Sequence, residues 1–123
     1  MVEIIAIDGP ASVGKSTIAK KISNFYNVPM LSSGRLYRAV ALKIKIGKIK
    51  VNSEDEIIQI AKSLTNDDIN SQNLFTSEID KIASSISKKK YLRNELMSYQ
   101  RKFPSKHAKG KKFAVLEGRD IGT

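Results

Sequence analysis

Cysteine is absent from the 123 residues. That excludes a disulfide framework and any thiolate metal site. No apolar run approaches the roughly 18 residues that a membrane-spanning helix needs. The first residues carry Glu3 inside their apolar run and offer no small-residue cleavage site, so no signal peptide is expected. A cytoplasmic protein without membrane partners is the expectation. Proline is scarce, at three residues, and aromatics make up 7 %. Hydrophobic residues reach 41 %, a globular rather than a disordered composition. The length suits one small domain with a single core.

Acidic residues are the other shortage. Twelve Asp and Glu face 22 Lys and Arg, a formal net charge of +10. Such a balance raises the question of nucleic acid. Much of the excess lies between Lys81 and Lys112, where the aromatics Tyr91, Tyr99, Phe103 and Phe113 do not sit beside glycines. A base-stacking platform would need that arrangement, so no nucleic-acid partner is expected.

Hydrophobic patterning gives the elements. Val2 to Ile7 is a short run of mostly branched apolar residues, a buried and parallel strand by its pattern. Ile18, Ala19, Ile22, Phe25 and Tyr26 follow helical spacing over Lys15 to Tyr26. Val28 to Leu31 is a second strand, and Ser32-Ser33-Gly34 a loop. A helix from about Arg35, with Leu36, Ala39, Val40 and Lys43 on one face, stops near Gly47. Ser53 and Glu56 form a capping-box signature for a helix reaching about Leu64. Thr65 to Asn73 is polar and reads as a loop. Helices are predicted over about Ser77 to Ser87 and Lys90 to Phe103, the second ended by Pro104. After a basic loop, Phe113 to Leu116 is a further buried strand, with Glu117-Gly118-Arg119-Asp120 at its end. Strands alternating with helices predict an α/β fold with a parallel sheet flanked by helices. Ligands of such sheets lie beyond the C-terminal strand ends. The segments Gly9 to Thr17, Ser32 to Arg38 and Glu117 to Asp120 are therefore expected to converge.

The first of them, Gly9-Pro10-Ala11-Ser12-Val13-Gly14-Lys15-Ser16, matches G-x-x-x-x-G-K-[ST] at every fixed position, and Thr17 follows. The glycines let backbone N–H groups curl inward and remove the Cβ atoms that would hold a phosphate away. The helix opening near Lys15 points its positive end at the same spot. Lys15 is expected to reach the β- and γ-phosphates of ATP, and the Ser16 hydroxyl to ligate Mg²⁺. A glycine-rich turn that binds nothing would also join strand to helix, but it would not need the lysine and hydroxyl. Switch GTPases, motor ATPases and small-molecule kinases share such a loop, so the loop does not choose among them.

The second segment, Leu31-Ser32-Ser33-Gly34-Arg35-Leu36-Tyr37-Arg38, places Arg38 at i+4 from Gly34. Arginine suits bidentate phosphate recognition, although a capping serine followed by a solvated arginine would look the same. Taken together, "IAIDGPASVGKST", "LSSGRLYRAVAL" and the terminal "LEGRDIGT" resemble the bacterial cytidylate kinase family. The last is the most discriminating, because adenylate kinases and the eukaryotic UMP/CMP kinases share the phosphate loop but lack it.

The resemblance implies a P-loop nucleoside monophosphate kinase that transfers the γ-phosphoryl of ATP to CMP or dCMP with Mg²⁺, acting as a monomer in pyrimidine nucleotide metabolism. By position, Ser33 matches a residue near the acceptor ribose. Arg38 matches one that holds the acceptor phosphate, and Arg119 a phosphate-side arginine. Ser84, Arg93 and Asp120 match the set that reads cytosine, whose N4 amino group and N3 and O2 acceptors suit a carboxylate and a guanidinium. A helix-surface serine, and a solvated arginine paired with Glu95 or with nothing, remain the plain readings of Ser84 and Arg93. Glu117 is a weaker candidate, for strand capping or for holding water on the metal.

The resemblance implies a domain organisation of residues 1–47 for the phosphate and acceptor loops, about 48–104 for a mostly helical acceptor-binding insert, and 113–123 for the strand and GRDIGT motif. Three departures stand out. Ser32-Ser33-Gly34 replaces the family's frequent Asp-Ser-Gly or Asp-Thr-Gly. Phe75 stands where arginine is frequent, and the segment Thr65 to Asn73 is short. The family's next strand, arginine-rich lid and adenine loop would all follow Thr123. The 123 residues alone are therefore expected to be weakly active or inactive. A non-catalytic nucleotide-binding remnant and a P-loop kinase for another small acceptor remain the alternatives.

Overall fold

The computed structural model describes residues 3–8, 15–28, 30–107 and 113–118. They form two compact units, one of residues 1–33 and 100–123 and one of residues 34–99.

In the first unit, β1 (Glu3–Asp8), β2 (Met30–Ser32) and β3 (Phe113–Gly118) make a three-stranded sheet in the order β1-β3-β2. Both pairings are parallel, as the branched apolar runs predict. Helix α1 (Lys15–Tyr26) connects β1 to β2, and its bounds match those read from the sequence. Ala19 of α1 packs with Val28 and Val115, and Ile22 and Met30 lie against them. Ile18 and Phe25, seven residues apart, share the outward side of α1 and are exposed, so only part of its apolar set is core. Asn27 ends α1 in the left-handed region at φ 52°. The Val28 N–H then reaches the Ser23 carbonyl at 3.0 Å, closing the helix end before β2. After this turn β2 runs over Met30–Ser32, starting two residues and ending one residue later than the expected Val28–Leu31.

The second unit is helical. It takes in α2 (Ser33–Gly47, whose first residue belongs to the other unit), α3 (Glu54–Lys62), α4 (Asn66–Ile69), a 3₁₀ turn at Gln72–Leu74, α5 (Ser77–Ile86) and the first part of α6 (Lys90–His107). No loop separates β2 from α2: Ser32 ends the strand and Ser33 opens the helix. Leu36, Ala39, Val40, Ala41 and Ile44 are buried. Lys43, expected on that face, instead reaches Asp68 at 3.4 Å. Ile44 lies four residues beyond Val40 and takes the core position. At the end of α2 it is Lys48, not Gly47, that takes φ 52°. Ile49 N–H bonds the Ile44 carbonyl at 3.0 Å, and a Cβ on Gly47 would meet Ile49 Cδ1 at 3.3 Å. Gly47 thus makes room for the returning isoleucine rather than for the positive φ.

Three further expectations are corrected. Ser53 is the N-cap of α3, but its hydroxyl makes no capping bond and donates to Glu56 Oε1 at 2.8 Å. The Ser53 N–H that Glu56 would have accepted goes to the Lys50 carbonyl at 3.0 Å. The supposed loop Thr65 to Asn73 holds α4 and the start of the 3₁₀ turn. Its capping box pairs the Thr65 hydroxyl with the Asp68 N–H, and the Thr65 N–H with Asp68 Oδ2 at 2.9 Å. Aspartate in the position usual for glutamate hid that box. Helix α6 runs past Pro104 to His107. Proline removes one N–H bond and its ring crowds the carbonyl four residues back, a cost that kinks a helix or ends it, and here the helix continues for three more residues.

Candidate active site

The sheet register builds the site from the backbone outward. Asp8, the last residue of β1, is the Cα partner of Gly118, the last of β3. Ser32, the last of β2, is the partner of Glu117. The chain therefore leaves all three strands at the same edge of the sheet. In parallel α/β sheets this edge holds the ligand. Lys15 opens α1 after residues 9–14, and Ser33 opens α2 directly after β2.

Neither helix carries an acidic residue in its first turn. Glu54, Asp55 and Glu56 occupy the first turn of α3, Asp67 and Asp68 that of α4, and Glu78 and Asp80 that of α5. (Helix α6, opening on Lys90, also has none.) The first turns of α1 and α2 thus carry no carboxylate of their own, and an anion complements such a positive helix terminus.

The candidate residues divide as follows. Gly9, Pro10, Ala11, Ser12, Val13 and Gly14 lie outside the described residues, as do Arg119 and Asp120. Lys15, Ser16 and Thr17 are the first three residues of α1. Ser33 is buried at 8 % exposure. Ser84 is exposed on α5, where its carbonyl accepts the Ser87 hydroxyl at 3.0 Å, and Arg93 is exposed on α6. No bond joins Ser84 to Arg93. Among the described residues no group of three or more His, Cys, Asp or Glu could hold a metal ion. No helix among them is long and apolar enough to cross a membrane.

Arg38 has the fullest set of partners. Its Nη1 donates to the Leu74 carbonyl at 3.1 Å and to Asp80 Oδ1. Its guanidinium carbon lies 4.7 Å from the centroid of the Phe75 ring. Arg35 lies over the same ring at 4.9 Å and donates to the Ile69 carbonyl at 3.1 Å. Arg35 and Asp80 were not singled out from the sequence. Asp80 stands 42 residues from Arg38, a separation that no local pattern carries.

Within the helical unit, two effects compete at Asp68. Burial raises its carboxyl, but the Thr65 N–H and hydroxyl and the Lys43 ammonium outweigh it and hold the group below its ordinary value. Burial pushes the Tyr91 and Tyr99 hydroxyls up, reinforced by Glu54 and Asp68 respectively.

The family model described as cytidylate kinase matches residues 5–123. A cytidylate kinase of Acidiphilium cryptum (strain JF-5) is 41 % identical over 122 residues, covering 98 % of this chain and 54 % of that protein. One of Clostridioides difficile (strain 630) is 35 % identical over 130 residues, covering 98 % and 58 %. One of Methylobacterium sp. (strain 4-46) is 38 % identical over 120 residues, covering 98 % and 55 %. The chain thus spans a little over half the length of these relatives. The match runs from within β1 through the helical unit to the GRDIGT segment, and on that extent the chain belongs to the cytidylate kinase family.

Proposed function

We propose that this chain carries the phosphate loop and the acceptor side of a kinase that moves the γ-phosphoryl group of ATP to CMP or dCMP. The observation that carries the reading is the shared strand edge, with Asp8 beside Gly118 and Ser32 beside Glu117, from which α1 and α2 start without first-turn acids. The G-x-x-x-x-G-K-[ST] segment at residues 9–17 is assigned to the triphosphate, with Lys15 as its cation. Ser16 is the residue that would hold Mg²⁺, through its hydroxyl, and the ion would supply neutralisation of phosphate charge.

On the acceptor side, Ser33 lies at the ribose and Arg38 and Arg119 hold the phosphate. Ser84, Arg93 and Asp120 read the cytosine edge. An oxygen of the acceptor phosphate attacks the γ-phosphorus while the bond to the β–γ bridging oxygen breaks, leaving ADP and CDP. The attacking group is already an anion, so no strong general base is required. The protein contributes alignment and offsets the repulsion of two polyanions. Residues from about 48 to 104 form the acceptor-binding insert. Transfer is proposed for a protein of the relatives' length, and binding of CMP and of the ATP phosphates for these 123 residues.

Calorimetric titration with CMP, UMP and AMP tests the reading. CMP is expected to bind tightest. Equal affinity for all three would remove cytosine recognition and favour another acceptor.

A further inference from the structure

We propose that Phe75 and Asp80 are positioning residues for Arg38, holding its guanidinium so that one edge stays open to the phosphate of the acceptor nucleotide. This rests on the acceptor role given to Arg38 above. The two bonds to the Leu74 carbonyl and Asp80 use both protons of Nη1. The guanidinium carbon lies over the Phe75 ring, 4.7 Å from its centroid. A cation held over a ring face and by two acceptors on one nitrogen is restrained in position and in rotation. The other three N–H groups lie on Nε and Nη2, and an arginine edge of that kind matches a phosphate in bidentate fashion. The Arg38 side chain keeps 28 % exposure, so a ligand in water can reach it.

The clamp is built locally. Ser71 accepts the Asn73 N–H at 3.2 Å and sets the 3₁₀ turn that ends at Leu74. Thr76 accepts the Ile79 N–H at 3.2 Å and caps α5, which places Asp80 in its first turn. Phe75 sits between these two capped turns and is 59 % exposed. Burial does not explain a phenylalanine there, whereas covering two guanidinium groups does. Arg35 lies over the same ring, 4.9 Å from its centroid.

The test is an NMR titration, which reads millimolar affinities, with CMP and with cytidine, which lacks the phosphate. It compares the parent with Phe75→Leu, Asp80→Ala, Asp80→Asn and Arg38→Ala. Phe75→Leu and Asp80→Ala are each expected to raise the Kd for CMP roughly threefold to fivefold and to leave that for cytidine unchanged. Asp80→Asn is expected to recover part of the loss, because its amide oxygen still accepts from Nη1. In an Arg38→Ala background neither change should weaken CMP further.

A parallel loss for CMP and cytidine would mark a merely structural role and overturn the proposal. So would tighter CMP binding by Asp80→Ala, which would make Asp80 a competitor of the phosphate. If Arg38→Ala weakens CMP while the other variants do not, positioning alone falls. If Arg38→Ala leaves CMP unchanged, the acceptor role falls and the clamp with it. Both substituted side chains are more than half exposed, and Phe75→Leu and Asp80→Asn keep the test open should Asp80→Ala not fold.

Discussion

Asp8 and Gly118 face each other across a parallel ladder, each the last residue of its strand. The phosphate-loop motif begins directly after the first, and Arg119 and Asp120 directly after the second. Pairing of the two strands brings together segments that are more than 100 residues apart in the chain.

Replacing Lys15 by Ala is expected to weaken ATP binding roughly tenfold to a hundredfold, the scale of a lost charge-assisted bond. Lys15 opens α1, where alanine is a good helix former, so the unfolding transition should not move. Calorimetry with ATP and a thermal melt check the two halves of this statement. Unchanged ATP affinity would count against the phosphate-loop assignment.

Asp120→Ala is expected to weaken CMP more than UMP, because uracil has no N4 amino group to lose. The ratio of the two dissociation constants in parent and variant is the measurement. An equal effect on both would leave Asp120 outside base recognition.

Acid should selectively loosen the segment around α4. The Asp68 carboxyl titrates below its ordinary 3.8, so its contribution to stability is complete above that value and is lost as pH falls through the lower, folded-state one. Urea midpoints followed from pH 7 down to pH 3 should fall more steeply for the parent than for Asp68→Asn. Thr65→Ala, which removes the hydroxyl cap, should cost about 1 kcal/mol at neutral pH.

Helix α2 offers a matched pair of core and surface sites. Leu36 is fully buried, and Leu36→Ala should cost about 2–5 kcal/mol. Ile46, on the same helix, is 72 % exposed, and Ile46→Ala should stay within about 0.5 kcal/mol of the parent. Comparable losses from both would contradict the orientation of α2.

The sequence by itself determined the parts whose causes are local. A branched apolar run, a glycine-rich turn and a helical spacing lie within a few residues of each other, and β1 and α1 were legible from them. The parallel class of the sheet followed from strands alternating with helices, and the motifs pointed to the family. Where two local signals competed, the sequence was a poorer guide. Lys43 and Ile44 are neighbours, and only packing decided that Ile44 turns inward while Lys43 reaches Asp68. The strand order β1-β3-β2 needed the tertiary structure, because the pairing of β3 with both other strands joins residues far apart in the chain. The clamp on Arg38 needed it most. Its acceptors lie 36 and 42 residues away, and hydrogen bonds and ring contacts at that separation exist only once α2 and α5 have packed.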